Sequence, residues 1–335
     1  MHHDSLRLIF FNGICINMNT WQFILNKLST SVDVVLLYVL ESRGSSPGRQ
    51  GFHMAVAADN QMKGTIGGGI MEHKFAELAK SMLDKNEQAN RLFKQVHDKS
   101  AKKDHSGMIC SGEQTVFLYQ VKQHEKECIA ELINSLRENR NGTLYLSQSG
   151  MSFRDEKPDR DYFFERIDET NFFYTEKTGF RYRLHIIGGG HCSLALSKLL
   201  EGMGFYISLY EVREGLNTME ENVFVQEKHM IDSYEQLSGL IEGGYDVFVV
   251  IMTFGYRTDD LALRALMEKK FRYIGMLGSK HKVEKMMQEY RAEKIDERLL
   301  KQVHAPAGIQ IKSQTAGEIA ISIAAELIAE KNKNQ

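Results

Sequence analysis

The stretch LHIIGGGHCSLAL, Leu184 to Leu196, decides how the second half of this chain folds. An apolar run of strand length, Leu184–Ile187, enters Gly188-Gly189-Gly190-His191-Cys192-Ser193, and a helical pattern, Leu194–Met203, follows. The glycine run fits G-x-G-x-x-[G/A], with Ser193 in the last place. Gly188 permits a tight turn, and Gly190 lets backbone amides at a helix N-terminus approach a phosphate. His191 lies in the turn, where it would meet a ligand, whereas Cys192 is expected to pack inward. Glu211 stands 23 positions after Gly188, at the end of a second strand, Phe205–Tyr210. An acid there can hydrogen-bond a ribose 2′-hydroxyl. It favours NAD over NADP, because it would repel a 2′-phosphate that Arg213 could otherwise host.

Working outward, strand and helix alternate to the end of the chain. Val247–Met252 (VFVVIM) is continuously apolar, as a parallel strand covered on both faces should be. Helix Asp259–Lys269, strand Tyr273–Leu277 and helix Lys282–Tyr290 continue the series. Thr315 and Glu318 form a capping box ahead of a last helix whose inner face is Ile319, Ala320, Ile323, Ala324, Leu327 and Ile328. The expected fold is α/β, with a C-terminal Rossmann-like doubly wound parallel sheet over residues 181–335.

Toward the N-terminus the pattern changes. A helix near Trp21–Leu28 precedes the apolar strand Val34–Leu40. Met71, Phe75, Leu78, Ala79, Met82 and Leu83 recur at helical spacing, and Thr115–Tyr119 and Thr143–Leu146 read as strands. This predicts an N-terminal α+β domain over residues 1–150. The polar run Arg154–Arg160, with Pro158, marks residues 151–180 as a linker holding strand-like pieces.

Composition bounds the function. The 335 residues are 42% hydrophobic and 26% charged, an ordinary soluble composition, and the net charge of −2 leaves no footprint for nucleic acid or an anionic membrane. Four cysteines without tight pairing argue against a disulfide framework and fit a reducing cytoplasm. Leu6–Ile16 is apolar but broken by Asn12-Gly13, so it reads as neither signal peptide nor membrane span. No histidine spacing indicates zinc.

The first domain holds two further glycine-rich runs. One is Ser42-Arg43-Gly44-Ser45-Ser46-Pro47-Gly48-Arg49, in which Arg43 and Arg49 could clamp an anion beside Ser45. The other places Gly67, Gly68 and Gly69 directly before a helix, with Glu72 in its first turn. Free amides and the positive helix end converge there, although the G-K-[ST] ending of an ATP-type loop is missing. An anion cradle and a pair of tight turns are both consistent with these runs. Cys110, flanked by Gly107 and Ser111-Gly112, is a structural thiol or a soft ligand.

Six ordered stretches resemble the XdhC/CoxI family, accessory proteins of xanthine dehydrogenase and related molybdenum hydroxylases. They are ESRGSSPGRQGFHM (Glu41–Met54), GTIGGGIMEHK (Gly64–Lys74), MICSGEQTVFL (Met108–Leu118), HIIGGGHCSLAL (His185–Leu196), YIGMLGSKHK (Tyr273–Lys282) and HAPAGIQIKSQTAGEIAISIAAE (His304–Glu326). The resemblance implies a non-catalytic maturation factor in purine catabolism. Such a protein binds molybdenum cofactor (molybdopterin) and assists its sulfuration and insertion into a xanthine dehydrogenase-type apoenzyme. A cysteine desulfurase and a second copy of this chain are further candidate partners. The Rossmann half would take NAD(P) or another nucleotide. Arg43, Ser45, Arg49, Gly67, Gly68, Gly69, Glu72 and Cys110 would contact the cofactor, with Gly188, Gly190, His191 and Glu211 on the nucleotide side. Near the C-terminus Gln310, Lys312 and Ala316 replace an acid, a glycine and a proline of the family pattern. The alternatives are an NAD(P)-dependent oxidoreductase, for which no Tyr-x-x-x-Lys with a partner serine follows the glycine turn, and a nucleotide-sensing regulatory module.

Overall fold

Seven consecutive residues of the strand Val34–Gly44 (β1), VVLLYVL, are buried, because the sheet around them is covered on both faces. Leu36, Tyr38 and Leu40 pack with Trp21 and Ile24 of the helix Ile16–Ser29 (α1). Val35, Leu37 and Val39 face Phe75 and Ala79 of the helix Gly69–Asp84 (α2). The computed structural model describes residues 16–85, 90–96, 112–168 and 170–333, and it divides into two units, Ile14–Gly179 and Phe180–Gln335.

In the first unit, β1 is joined by His53–Ala57 (β2), Met62–Gly64 (β3), Arg91–Val96 (β4) and Gly112–Gln120 (β5). The strand order is β3-β2-β1-β5-β4, antiparallel throughout. A bulge between Val39 and Glu41 shifts the β1–β5 register just before the Ser42–Arg49 run. After the helix Lys126–Arg137 (α3), a second antiparallel sheet forms from Gly142–Ser147 (β6), Gly150–Arg154 (β7), Tyr162–Arg166 (β8) and Phe172–Thr178 (β9), in the order β7-β6-β9-β8.

That second sheet corrects the domain reading. Residues 151–180 are not a linker, since three strands of this sheet lie within 150–178. Their alternation is genuine. Phe172 and Tyr174 are buried in the same core as Trp21, while Phe173 between them is exposed. The polar run Arg154–Arg160 is only the connection from β7 to β8, and the first unit extends to Gly179.

The second unit alternates as its sequence predicts. It runs Tyr182–Ile187 (β10), His191–Leu200 (α4), Phe205–Glu211 (β11), Asn217–Glu220 (α5), Glu227–Met230 (β12), Leu237–Leu240 (α6) and Gly244–Ile251 (β13). Tyr256–Leu266 (α7), Phe271–Met276 (β14), Lys280–Ala292 (α8), Glu297–Lys301 (α9), Val303–His304 (β15) and Ala316–Asn332 (α10) complete it. All six strands are parallel, in the order β12-β11-β10-β13-β14-β15. This is the doubly wound order, whose ligand crevice opens where the winding reverses, between β10 and β13. Val249 and Ile251 of β13 face α7 and α8, whereas Phe248 and Val250 face α4 and α10.

Two helix starts differ from expectation. Helix α4 begins at His191 rather than Leu194, because Gly190 serves as N-cap and the Ser193 hydroxyl donates back to the Gly188 carbonyl. Helix α7 begins at Tyr256, with Gly255 as its N-cap. Lys312 stands at φ 58°, a left-handed conformation that explains the glycine of the family pattern at that place.

Candidate functional site

The turn after β10 is built around a close approach. Gly188 has φ 109°, and a Cβ there would lie 2.5 Å from the Met252 carbonyl oxygen at the end of β13. Only glycine fits. Its amide donates to the Tyr210 carbonyl at 2.8 Å, so the turn is tied to β11 on the other side. At Gly190 the surroundings are the opposite. Apart from its immediate chain neighbours, no described residue comes within 4 Å of where a side chain would begin. The first amides of α4 have no intrahelical acceptors and face the positive end of the helix dipole. His191 is exposed at this end. Cys192 packs partly into the core, and burial raises its thiol pKa, which disfavours a reactive thiolate.

Glu211 does not wait for a ribose. The side chain is 0% exposed and accepts from the amides of Gly189 (2.8 Å), Val212 (2.8 Å) and Arg213 (3.0 Å). Nε and Nη2 of Arg213 add bonds of 3.1 and 2.7 Å, and the Tyr234 hydroxyl adds one of 3.2 Å. Burial opposes its ionisation, but the Arg213 guanidinium and the backbone amides outweigh that and bring its pKa down to about 2. The acid therefore braces the turn. Arg213 lies over the Phe254 ring, 4.6 Å from its centroid. A pocket of about 660 Å³ has Arg213, Leu216, Met219 and Lys228 among its walls, and Leu216 and Met219 also pack against Gly189 of the turn.

The crevice on the β13 side holds residues that sequence reasoning missed. The Thr253 hydroxyl bonds Asp259 at 2.6 Å and Thr258 at 2.6 Å. Asp259 is fully buried and pairs with Lys282 of α8, which also reaches the Leu277 carbonyl at 3.2 Å. Phe254 is 57% exposed at the mouth. A large aromatic directly after an apolar strand, TFGYRTDD, was the available signal.

In the first unit the candidate runs converge, but not as a free cradle. A Cβ on Gly67 would meet the Gly48 nitrogen at 2.3 Å, so the two loops touch backbone to backbone. The backbone of Ser45 lies against Gly112, and Ser46 and Gly48 both donate to the Gln114 side-chain oxygen, at 2.7 and 3.3 Å. The nest before α2 is filled by the chain itself. One oxygen of Glu72 accepts from the Thr65 hydroxyl (2.6 Å) and from the amides of Ile66 (2.8 Å) and Gly68 (3.0 Å). Gly68 donates to an internal carboxylate, where an anion cradle had been one reading. Arg43 and Arg49 do not form a clamp either. Both are exposed, Arg43 pairing with Glu41 at 2.8 Å and Arg49 donating to the Gly44 carbonyl at 3.2 Å. Cys110 lies outside the described residues.

Comparison with known proteins matches residues 184–327 to the XdhC Rossmann domain and residues 28–94 to the XdhC and CoxI family. The chain is 28% identical over 299 residues to the uncharacterized protein YqeB of Escherichia coli (strain K12), covering 88% of this chain and 43% of that protein. It is 22% identical over 168 residues to a probable xanthine dehydrogenase subunit of Bacillus subtilis (strain 168), covering 50% of this chain and 48% of that one. It thus spans about half the length of these relatives or less. A crystal structure described as a xanthine dehydrogenase from Bacillus halodurans aligns with a TM-score of 0.68 at 24% identity, covering 94% of this chain and 97% of that chain. At that identity the likeness speaks for the fold.

Proposed function

The chain belongs to the XdhC and CoxI family, and from that premise we propose that it serves as an accessory protein in the maturation of a xanthine dehydrogenase-type molybdenum hydroxylase. The observation that carries the reading is the open glycine turn at α4. Amides and a helix end meet there, and beyond its chain neighbours no described residue lies within 4 Å of a Cβ on Gly190. Leu216 and Met219, which touch the turn at Gly189, also line a pocket.

The ligand such a turn calls for is a phosphate. Molybdenum cofactor carries one on its pterin side chain, and a nucleotide carries a pyrophosphate. Both fit the open turn. The Gly67–Gly69 loop suits them less, because its Gly68 amide already donates to Glu72 and its Gly67 amide to the Thr65 hydroxyl. When bound, the cofactor would supply the molybdenum chemistry of the recipient enzyme. The work of this chain is to hold a phosphate on the α4 amides, with Gly188 keeping the turn tight against β13. Sulfuration and insertion of the cofactor belong to this proposal, as do the apoenzyme and a cysteine desulfurase as partners and the cytoplasm as their setting. Among the described residues no helix is long and apolar enough to cross a membrane.

Anaerobic purification followed by mass spectrometry of released small molecules tests the reading, alongside co-expression with an apo-dehydrogenase. The expected result is a phosphate-bearing pterin or nucleotide and a rise in dehydrogenase activity, both lost in Gly190→Val. A folded wild type that carries no such ligand, binds none in calorimetry and leaves the dehydrogenase inactive would overturn it.

A further inference from the structure

We infer that the pocket beside the glycine turn selects a nucleotide whose ribose carries a phosphate monoester, and that Arg213 is the residue that reads it. The inference rests on the reading of the turn as a phosphate site and names the ligand class.

A ribose with two free hydroxyls needs an accessible acceptor at the end of β11. Glu211 is sealed from solvent and already accepts six hydrogen bonds, three of them from Arg213. What the pocket meets instead is the guanidinium. Two of its nitrogens are held by Glu211 and its face lies over Phe254, so its plane is fixed, yet the side chain keeps 37% exposure. Nη1 makes no hydrogen bond among the described residues, so one edge is left for a ligand. An arginine pre-oriented in this way suits a phosphate, which takes several N–H donors at once. The buried carboxylate lies behind the cation, so the repulsion expected of Glu211 toward a 2′-phosphate is masked.

Lys228 supplies a second cation in the same pocket, its ammonium resting on the Glu220 carbonyl at 3.0 Å. Glu214 and Glu220 also line the pocket; exposed like Lys228, they act across water, so the half-buried, pre-oriented Arg213 carries the recognition and Lys228 only adds to it. Leu216 and Met219 come within 3.3 Å of a Cβ placed on Gly189, so the pocket abuts the turn, and Met230 extends this apolar wall for a base. A pyrophosphate on the α4 amides and a monoester at Arg213 thus fall to the two ends of one ligand.

Titration calorimetry on the full chain with NADP+, NAD+ and 2′,5′-ADP tests this. NADP+ is expected to bind at least about tenfold more tightly than NAD+, with 2′,5′-ADP competing for its site. Arg213→Ala should bring the two dinucleotides within about threefold of each other. Because that variant strips a buried acid of its partner, Lys228→Ala serves as the independent arm. It should weaken NADP+ roughly two- to tenfold and leave NAD+ unchanged. If NAD+ binds as tightly as NADP+ or more so, a carboxylate reads the diol and the inference falls while the phosphate turn stands. If neither dinucleotide binds, the inference falls, and the reading of the turn as a phosphate site falls with it only if no phosphate-bearing pterin binds either.

Discussion

Gly67–Gly69 and Gly188–Gly190 are both runs of three glycines leading directly into a helix, and each meets a carboxylate from a different part of the chain. In the first, Glu72 in the opening turn of α2 folds back and takes the amides of Ile66 and Gly68. In the second, the opening turn of α4 carries no acid. The carboxylate that does reach that loop, Glu211, comes from the next strand and takes the Gly189 amide, as Glu72 takes that of Gly68. The loops differ in where the acid stands and not in how many glycine amides it holds. A glycine run reports that something approaches the backbone closely. Whether that something is the chain or a ligand depends on where the nearest carboxylate stands.

The sharpest way to break this contrast is to fill the open space. Gly190→Val places a branched side chain where no described atom now lies, so phosphate-ligand affinity should fall by at least about 100-fold in calorimetry. The fold should lose only about 1 kcal/mol, since Gly190 has an ordinary φ of −77°. Retained affinity would mean that the ligand is held elsewhere.

Removing the internal carboxylate tests the other loop. Glu72→Ala leaves two amides and a hydroxyl without their acceptor, and urea unfolding should report a loss of about 2–3 kcal/mol. An unchanged midpoint would show that water replaces the carboxylate freely, which would reopen the nest to ligands.

Acid probes the second carboxylate. Folded, Glu211 has a pKa of about 2, while the ordinary value is 4.5. Its ionised form therefore stabilises the fold fully above about pH 4.5, and that contribution is lost as the pH falls toward 2. Between pH 7 and pH 3 the wild type should lose about 2 kcal/mol from this group. Glu211→Gln should start less stable and show a correspondingly shallower fall over the same range. Parallel pH profiles for the two proteins would remove the bracing role.

The smallest expected effects are at Arg43 and Arg49. Each is exposed and makes one local contact, so replacement by alanine should change stability by less than about 0.5 kcal/mol and leave ligand affinity unchanged. A tenfold loss of affinity in either variant would restore the anion clamp.

How far all this was legible from sequence differs between the two units for physical reasons. In the second unit, strands buried on both faces print as unbroken apolar runs, and the Thr315–Glu318 capping box forms as expected, with the Glu318 amide on the Thr315 hydroxyl at 3.2 Å. In the first unit the short strands β2 to β4 and the sheet of β6 to β9 alternate or carry polar residues, so β7 to β9 read as linker. The site was legible as a backbone shape. Glycine positions could be read, but the partners of the carboxylates could not. Glu211 is saturated partly by Tyr234, which opens a short 3-10 helix 23 residues on, and nothing in a linear pattern links them.

One glycine turn opens its helix end to a phosphate, and the other folds its own helix's carboxylate onto the amides of Ile66 and Gly68. Amide-detected NMR of the full chain during titration with NADP+ tests this contrast most directly, because it reads both loops in one sample. The predicted result is that the Gly190, His191 and Cys192 amides shift progressively with ligand while Ile66 and Gly68, held by Glu72, stay in place. Shifts at Ile66 and Gly68 with Gly190 and His191 unmoved would contradict it.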